Sequence, residues 1–270
     1  MVCFVICSMD IRIFQIDAFT NQLFSGNPAC VVILKHWLED KQMLAVAAEN
    51  AVAETAFLIQ NKDGYSLRWF TPDVEMDLCG HATLASAHVV LHHLHPNWGQ
   101  VDFDTKSGSL RVTKNPSGYE MNLPNRPPVL SDLPLPIEKA LSQQPLQVLK
   151  ARDYVLVYPD ESTVRNLQIN RLVFDKINLG TGGVVVTAPG ISCDFVSRFF
   201  TPQATILEDP VTGSAHCSLV PYWSFVLGKT NLMARQISER GGALNCSLKD
   251  DCVLIRGEAT TFLEGHIQVN

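Results

Sequence analysis

The chain has 270 residues, 46% of them hydrophobic and 18% charged, with a formal net charge of −6. That supplies core material for two domains of ordinary size, and mild acidity without a basic, aromatic-interleaved stripe argues against nucleic acid as a partner. Residues 1–9 lack the basic flank and the length of a signal or spanning segment, and Asp10 interrupts their apolar run, so they read as a short extension and no membrane partner is expected.

Eight cysteines stand at positions 3, 7, 30, 79, 193, 217, 246 and 252, with no CxxC pair and mostly in apolar or small-residue runs. This is the pattern of reduced, buried thiols, and it points to the cytoplasm rather than to a secreted disulfide framework.

In chain order, residues 11–19 alternate as a strand. Phe24-Ser25-Gly26-Asn27-Pro28 is a strong turn, and residues 29–34 form a second strand. Residues 38–50 predict a surface-packed helix with Leu38, Met43, Val46 and Ala47 inward and acids near its start, followed by a strand over 54–59. Residues 67–70 are a strand closed by Thr71-Pro72, since proline removes a ladder donor. The segment 82–94 is apolar on almost every face, which predicts a helix enclosed by a curved sheet. Strands over 101–103, 109–113 and 119–123 supply the wrapping, with Asn115-Pro116-Ser117-Gly118 as a turn.

Five prolines fall within residues 124–136, where periodicity is lost, and residues 125–136 read as a linker between an N-terminal domain (10–124) and a C-terminal one (137–256). Beyond it come a strand over 153–158, a short helix over 162–167, strands over 184–188 and 196–200, and a helix over 214–227 stopped by Gly228. Pro221 should shift or bend the first turns of that helix. Strands over 238–244, 253–256 and 265–269 either close the second sheet or, for the last segment (257–270), return to the first domain.

The two halves repeat one another. Arg68-Trp69-Phe70-Thr71-Pro72 matches Arg198-Phe199-Phe200-Thr201-Pro202 at an offset of 130, and Gly80-His81-Ala82 matches Gly213-Ser214-Ala215 at 133. A single offset of this length is an internal duplication, not a solenoid. Each copy runs strand, loop, then helix start, so free N–H groups and the positive ends of helix dipoles face whatever the loops enclose, which suits a carboxylate.

Against that symmetry, Glu54 occurs once, aligned with Val184 at the same offset. A carboxylate among apolar neighbours is a candidate proton donor and acceptor, the alternative being an acid on the wet side of an amphipathic strand. Asp209 either braces its own loop or binds an amino group and assists Glu54, and His81 and Ser214 occupy matching places after the loop glycines. Cys79 could be a thiol base, but its counterpart is Thr212, so a two-thiol epimerase lacks its second base. His92, His93 and His95 resemble a metal cluster without the spacing of one, and Gly180-Thr181-Gly182-Gly183 leads into a strand, so neither a metal nor a dinucleotide site is expected.

Asp17-Ala18-Phe19-Thr20, Phe24-Ser25-Gly26-Asn27-Pro28, Ala53-Glu54-Thr55-Ala56-Phe57, Arg68-Trp69-Phe70-Thr71-Pro72, Cys79-Gly80-His81-Ala82-Thr83 and Glu208-Asp209-Pro210-Val211-Thr212-Gly213-Ser214-Ala215 together resemble the PhzF family. These are the phenazine biosynthesis-like isomerases related to diaminopimelate epimerase. The resemblance implies an α+β fold of two duplicated epimerase-like domains, each a curved, mostly antiparallel sheet around a central helix, with the active site between them. It also implies a homodimer and no cofactor. Carried onto this chain, it makes Glu54 the proton-moving acid, His81 and Asp209 its catalytic companions, and Ser214, Gly80 and Gly213 the substrate-binding positions. Ala53 departs from the serine usual in the family and Ala51-Val52 from Asn-Leu, so the hydrogen bond expected to orient Glu54 is either missing or supplied elsewhere.

The expected function is a cofactor-independent isomerase of a small, carboxylate-bearing, amino-substituted metabolite. A two-base epimerase using Cys79 and a catalytically silent binding or scaffold protein are the alternatives. If the duplication is right, Glu54, His81, Asp209 and Ser214 must surround one cavity within roughly 10 Å of its centre. A close Glu54–Asp209 pair should also raise the pKa of at least one member.

Overall fold

The computed structural model describes residues 8–270, so most of the expected N-terminal extension, with Cys3 and Cys7, lies outside the described residues. The chain opens with β1 (Met9–Ala18) and β2 (Asn27–Leu34), an antiparallel pair. The first strand stops one residue short of expectation because Phe19 takes a positive φ of 63°. α1 (Asp40–Asn50) starts two residues later than predicted, after Glu39, whose N–H donates to the Gln42 side chain. It buries Met43 and Ala47.

β3 (Glu54–Gln60), β4 (Tyr65–Phe70) and the two-residue β5 (Glu75–Met76) lead to α2 (Gly80–His88), which runs on into a π-helical turn, Val89–Leu94. Every residue over 80–91 is buried. The all-round apolar pattern therefore did mark an enclosed helix. β6 (Gln100–Thr105), β7 (Gly108–Asn115) and β8 (Gly118–Pro124) complete the wrapping.

The proline-rich stretch is less featureless than its composition suggests. It contains β9 (Val129–Leu130), paired with β10 (Gln147–Lys150), and the start of α3 (Leu135–Ala140). β11 (Tyr154–Val157), α4 (Glu161–Asn166), α5 (Arg171–Phe174), β12 (Val184–Pro189), β13 (Phe195–Phe200) and β14 (Glu208–Asp209) follow. A 3-10 turn, Gly213–Ala215, then precedes α6 (His216–Leu227), so the regular helix begins two residues after the expected start.

Pro221 cannot donate to the Cys217 carbonyl four residues back. The Arg126 N–H takes that acceptor instead, at 2.9 Å, tying the proline-rich stretch to the central helix.

The strand expected over 238–244 is two strands, β15 (Asn231–Gln236) and β16 (Gly242–Leu248), around a turn in which Ser238 Oγ accepts from Gly241 N and Gly241 adopts a φ of 64°. β17 (Cys252–Gly257) pairs with β8, and β18 (Ala259–Val269) pairs with β1 along its whole length, so the last strand returns to the first half.

One continuous curved sheet of 18 strands results. The pairings of the halves correspond one for one: β2 with β3 and β11 with β12 are parallel, β3 with β4 and β12 with β13 antiparallel, and β4 with β6 and β13 with β15 parallel. Even the brace behind each loop recurs, Arg68 holding Glu75 as Arg198 holds Glu208.

The register corrects one alignment. Thr55 pairs with Phe70, whereas Val184 pairs with Phe200, so the structural counterpart of Glu54 is Gly183 and not Val184. A Cβ on Gly183 would meet the Phe199 ring at 2.4 Å. Where the first half projects a carboxylate, the second presents an aromatic ring on the same cavity.

Candidate active site

The two strand–loop–helix units meet head to head. A Cβ on Gly80 would sit 3.1 Å from the Gly213 Cα, and one on Gly213 would sit 3.2 Å from the Gly80 Cα, so only paired glycines let the helix starts approach this closely. Phe19 packs its ring against Gly213 and Gly257 from its strained backbone position. Beside this contact lies a cavity of about 570 Å³ whose wall includes Glu54, Cys79, Gly80, His81, Arg152, Asp209, Gly213 and Ser214. All six residues singled out from the sequence, with Cys79, therefore border one metabolite-sized space.

Glu54 opens β3 and is buried, 9% exposed. Its Oε2 lies 3.1 Å from His81 Nε2, at ion-pair distance but without hydrogen-bond alignment, and neither atom has another partner. The other face of the imidazole is held by Asn27, whose Nδ2 is 3.1 Å from His81 Nδ1, and by Cys79 Sγ at 3.5 Å. Asn27 Nδ2 also donates to Asp209 Oδ1 at 2.6 Å and to the Val211 carbonyl at 2.9 Å. These two oxygen acceptors take both amide hydrogens and establish which end of the amide faces His81. A polar chain thus runs from Asp209 through Asn27 and His81 to Glu54, linking the halves.

Asp209 is fastened at three points, by Asn27, by the Thr212 hydroxyl on Oδ2 and through its own carbonyl by Gln236 at 2.7 Å. Burial pushes its carboxyl up to about 6; the His81 charge and the hydrogen bonds from Thr212 and Asn27 oppose this, while the Glu54 charge adds to it. The Glu54 charge is thus one cause of the rise at Asp209, after burial, as expected of nearby carboxylates. Burial lowers the pKa of His81, but its contacts with Cys79 and Glu54 outweigh it and hold the imidazole well above its ordinary range. Burial raises the Cys79 thiol to about 11, with Glu54 adding to the rise and His81 opposing it, so the sulfur is protonated at neutral pH.

Glu54, Cys79 and His81 each bring a ligand atom within 4.8 Å of the others. His81 turns Nδ1 to the sulfur and Nε2 to the carboxylate, so the ring separates the other two donors instead of converging with them on one ion. His92 stacks on His88, and His93 meets His88 edge-on and lies against β18, where its Nε2 meets Thr261 Oγ1 at 2.7 Å; both pack structurally and are not on the cavity wall.

Three residues of the arrangement were missed from the sequence. Asn27 was read only as part of a turn, Arg152 not at all, and Gln236, which donates to the Asp209 carbonyl and accepts from Thr212 N at 2.8 Å, was assigned to no element. The motif that quotes Asn27 was the one available signal. Ala53 offers no side-chain donor to Glu54, and the orienting contact comes from His81 alone.

The family model for phenazine biosynthesis-like proteins matches residues 16–265. An uncharacterised isomerase of Pseudomonas aeruginosa is 43% identical over 262 residues, covering 97% of this chain and 100% of that one. A crystal structure of a PhzF-family protein from Enterococcus faecalis superposes with a TM-score of 0.90 at 41% identity, covering 97% of this chain and 100% of that chain. A probable proline racemase from Agrobacterium radiobacter shares the fold at 11% identity, with a TM-score of 0.66 and coverage of 96% and 93%.

Proposed function

The chain belongs to the phenazine biosynthesis-like (PhzF) family of isomerases, and on that premise we propose that it moves a proton within a small, carboxylate-bearing, amino-substituted metabolite, with Glu54 as the base and then the acid. The observation that carries this reading is the buried Glu54–His81 pair, whose facing atoms have no other partner and stand on the wall of a cavity between two duplicated helix starts. Glu54 accepts a proton from a substrate carbon and, after exchange with solvent, returns a proton to another atom, so the reaction is redox-neutral and needs no cofactor. His81 stabilises the negative charge that develops, Asp209 receives the amino group, and Ser214 with the N–H groups after Gly80 and Gly213 receives the carboxylate. Two copies of the chain form the working molecule under this proposal, which light scattering on the purified protein tests.

The chemical test is proton exchange into a panel of amino and cyclic carboxylic acids in deuterated buffer, followed by NMR. Labelling by the wild type that disappears in Glu54→Gln is the expected result; labelling that persists shows another base. Cys79→Ala separates the two-base epimerase. Cys79 has only Thr212 as its counterpart and its thiol is held protonated, so activity should survive its loss.

A further inference from the structure

Arg152 stands in the bend between β10 and β11, on the cavity wall, with its side chain 16% exposed. A guanidinium carries five N–H hydrogens. Nε donates to Asp153 Oδ1 and Nη2 to Asp153 Oδ2, each at 3.2 Å, and Nη2 donates also to Ser214 Oγ at 2.9 Å. Asp153 cannot swing away, because its Oδ1 accepts from Gly183 N at 2.9 Å. Three hydrogens are thus committed. The two on Nη1 have no acceptor although the atom is buried.

Buried donors of a charged group are seldom left unpaired, least of all on a side chain clamped so that it cannot turn to water. Asp77 acts on Arg152 through its charge but makes no hydrogen bond to it. Ser214, accepting from Arg152, keeps its own hydroxyl hydrogen to donate. Arginine N–H groups beside a free hydroxyl match the two oxygens of a carboxylate. A dianion fits less well, because Asp153 and Asp77 already surround the guanidinium and Glu54 and Asp209 stand elsewhere on the same wall.

We propose that Arg152 is the specificity-determining residue of this cavity: Nη1 takes one oxygen of the substrate carboxylate and the Ser214 hydroxyl the other, which turns the rest of the molecule toward Glu54. The inference rests on the reading of the cavity as a carboxylate-metabolite site, and adds to it a residue from the second half that selects charge and sets direction.

The test is calorimetric binding of benzoate and of benzamide, near-isosteres that differ in charge, to the wild type, Glu54→Gln, Arg152→Gln and Asp77→Asn. The wild type and Glu54→Gln should favour benzoate by about tenfold or more, Arg152→Gln should lose the preference, and Asp77→Asn should enlarge it by removing a competing negative charge. A wild type without the preference, or Arg152→Gln with it, overturns the proposal. Should Arg152→Gln fail to fold, nitrogen-15 spectra of the wild-type arginine side chains decide: benzoate must shift the Arg152 resonances and benzamide must not. Because binding is read without turnover, loss of the Glu54 assignment leaves this result standing. Equally, a missing charge preference in an enzyme that still exchanges protons through Glu54 removes Arg152 alone.

Discussion

Asp209 is where the electrostatics of the site becomes measurable. Its carboxyl is raised to about 6, above the value it has in an unfolded chain, so the folded state binds its proton more tightly. The sign follows from linkage: its contribution is most favourable below about pH 4 and is lost as the pH rises through about 6. Asp209→Asn keeps a polar partner for Asn27 and Thr212 without the charge. It should be more stable than the wild type by about 3 kcal/mol at pH 8, with the difference vanishing near pH 4. Denaturant titrations at the two pH values check this, and activity should fall as stability rises, as at other charged sites kept for function. Asn27 shows the complementary case. One amide nitrogen donates to both Asp209 Oδ1 and the Val211 carbonyl, so Asn27→Ala strands two acceptors and should cost about 2–3 kcal/mol together with most of the activity, read by denaturation and by proton exchange.

Among elements, the contact of the two helix starts carries the sharpest demand. An alanine at position 80 meets backbone, the Gly213 Cα at 3.1 Å and its carbonyl carbon at 3.4 Å, and backbone cannot turn aside as a flexible side chain can. Gly80→Ala should therefore cost about 1–3 kcal/mol and displace Ser214. Gly99→Ala, with nothing within 4 Å, is the control and should stay within about 0.5 kcal/mol. Equal denaturation midpoints for the two variants would show that the helix starts are not in tight contact. The same scale explains the second-half strands. Over β15 the buried residues Leu232, Ala234 and Gln236 alternate with exposed ones, a period of two that a polar, charge-bearing sequence hides.

Across the molecule, the halves are joined at several levels. β18 lies on β1, β17 on β8, and Arg240 reaches Asp17 at 2.7 Å and the carbonyls of Ser25 and Gly26. At the cavity mouth the two duplicated loops touch through one exposed clasp, Thr205 donating to Asp73 from its N–H at 2.9 Å and its hydroxyl at 2.8 Å. Exposed hydrogen bonds contribute little to global stability, so Asp73→Ala should leave it within about 0.5 kcal/mol. Local opening is another matter. Amide exchange over residues 71–76 and 201–207 should quicken in the variant and stay unchanged in α2 and α6, measured by mass spectrometry. No quickening in either loop would show that the clasp does not hold the mouth.

The duplication, the enclosed helix and the places of Glu54, His81, Asp209 and Ser214 were legible in the sequence because each is a local pattern. A repeated strand–proline–glycine run reports two copies, an all-round apolar segment reports enclosure, and a polar residue beside a loop glycine reports a helix start. Asn27 and Arg152 left no such mark, since their partners lie 184 and 62 residues away in the chain, the first across the two halves and the second within the second half, and only tertiary folding brings them together. The one-residue shift that sets Gly183 opposite Glu54 was equally hidden, because strand register is decided by which side chains fill the space between sheet and helix, here the Phe199 ring. Sequence alone marked candidate residues; tertiary structure decided which of them stand within a few ångströms of one another, because hydrogen bonding and desolvation depend on distances that only the packed chain defines.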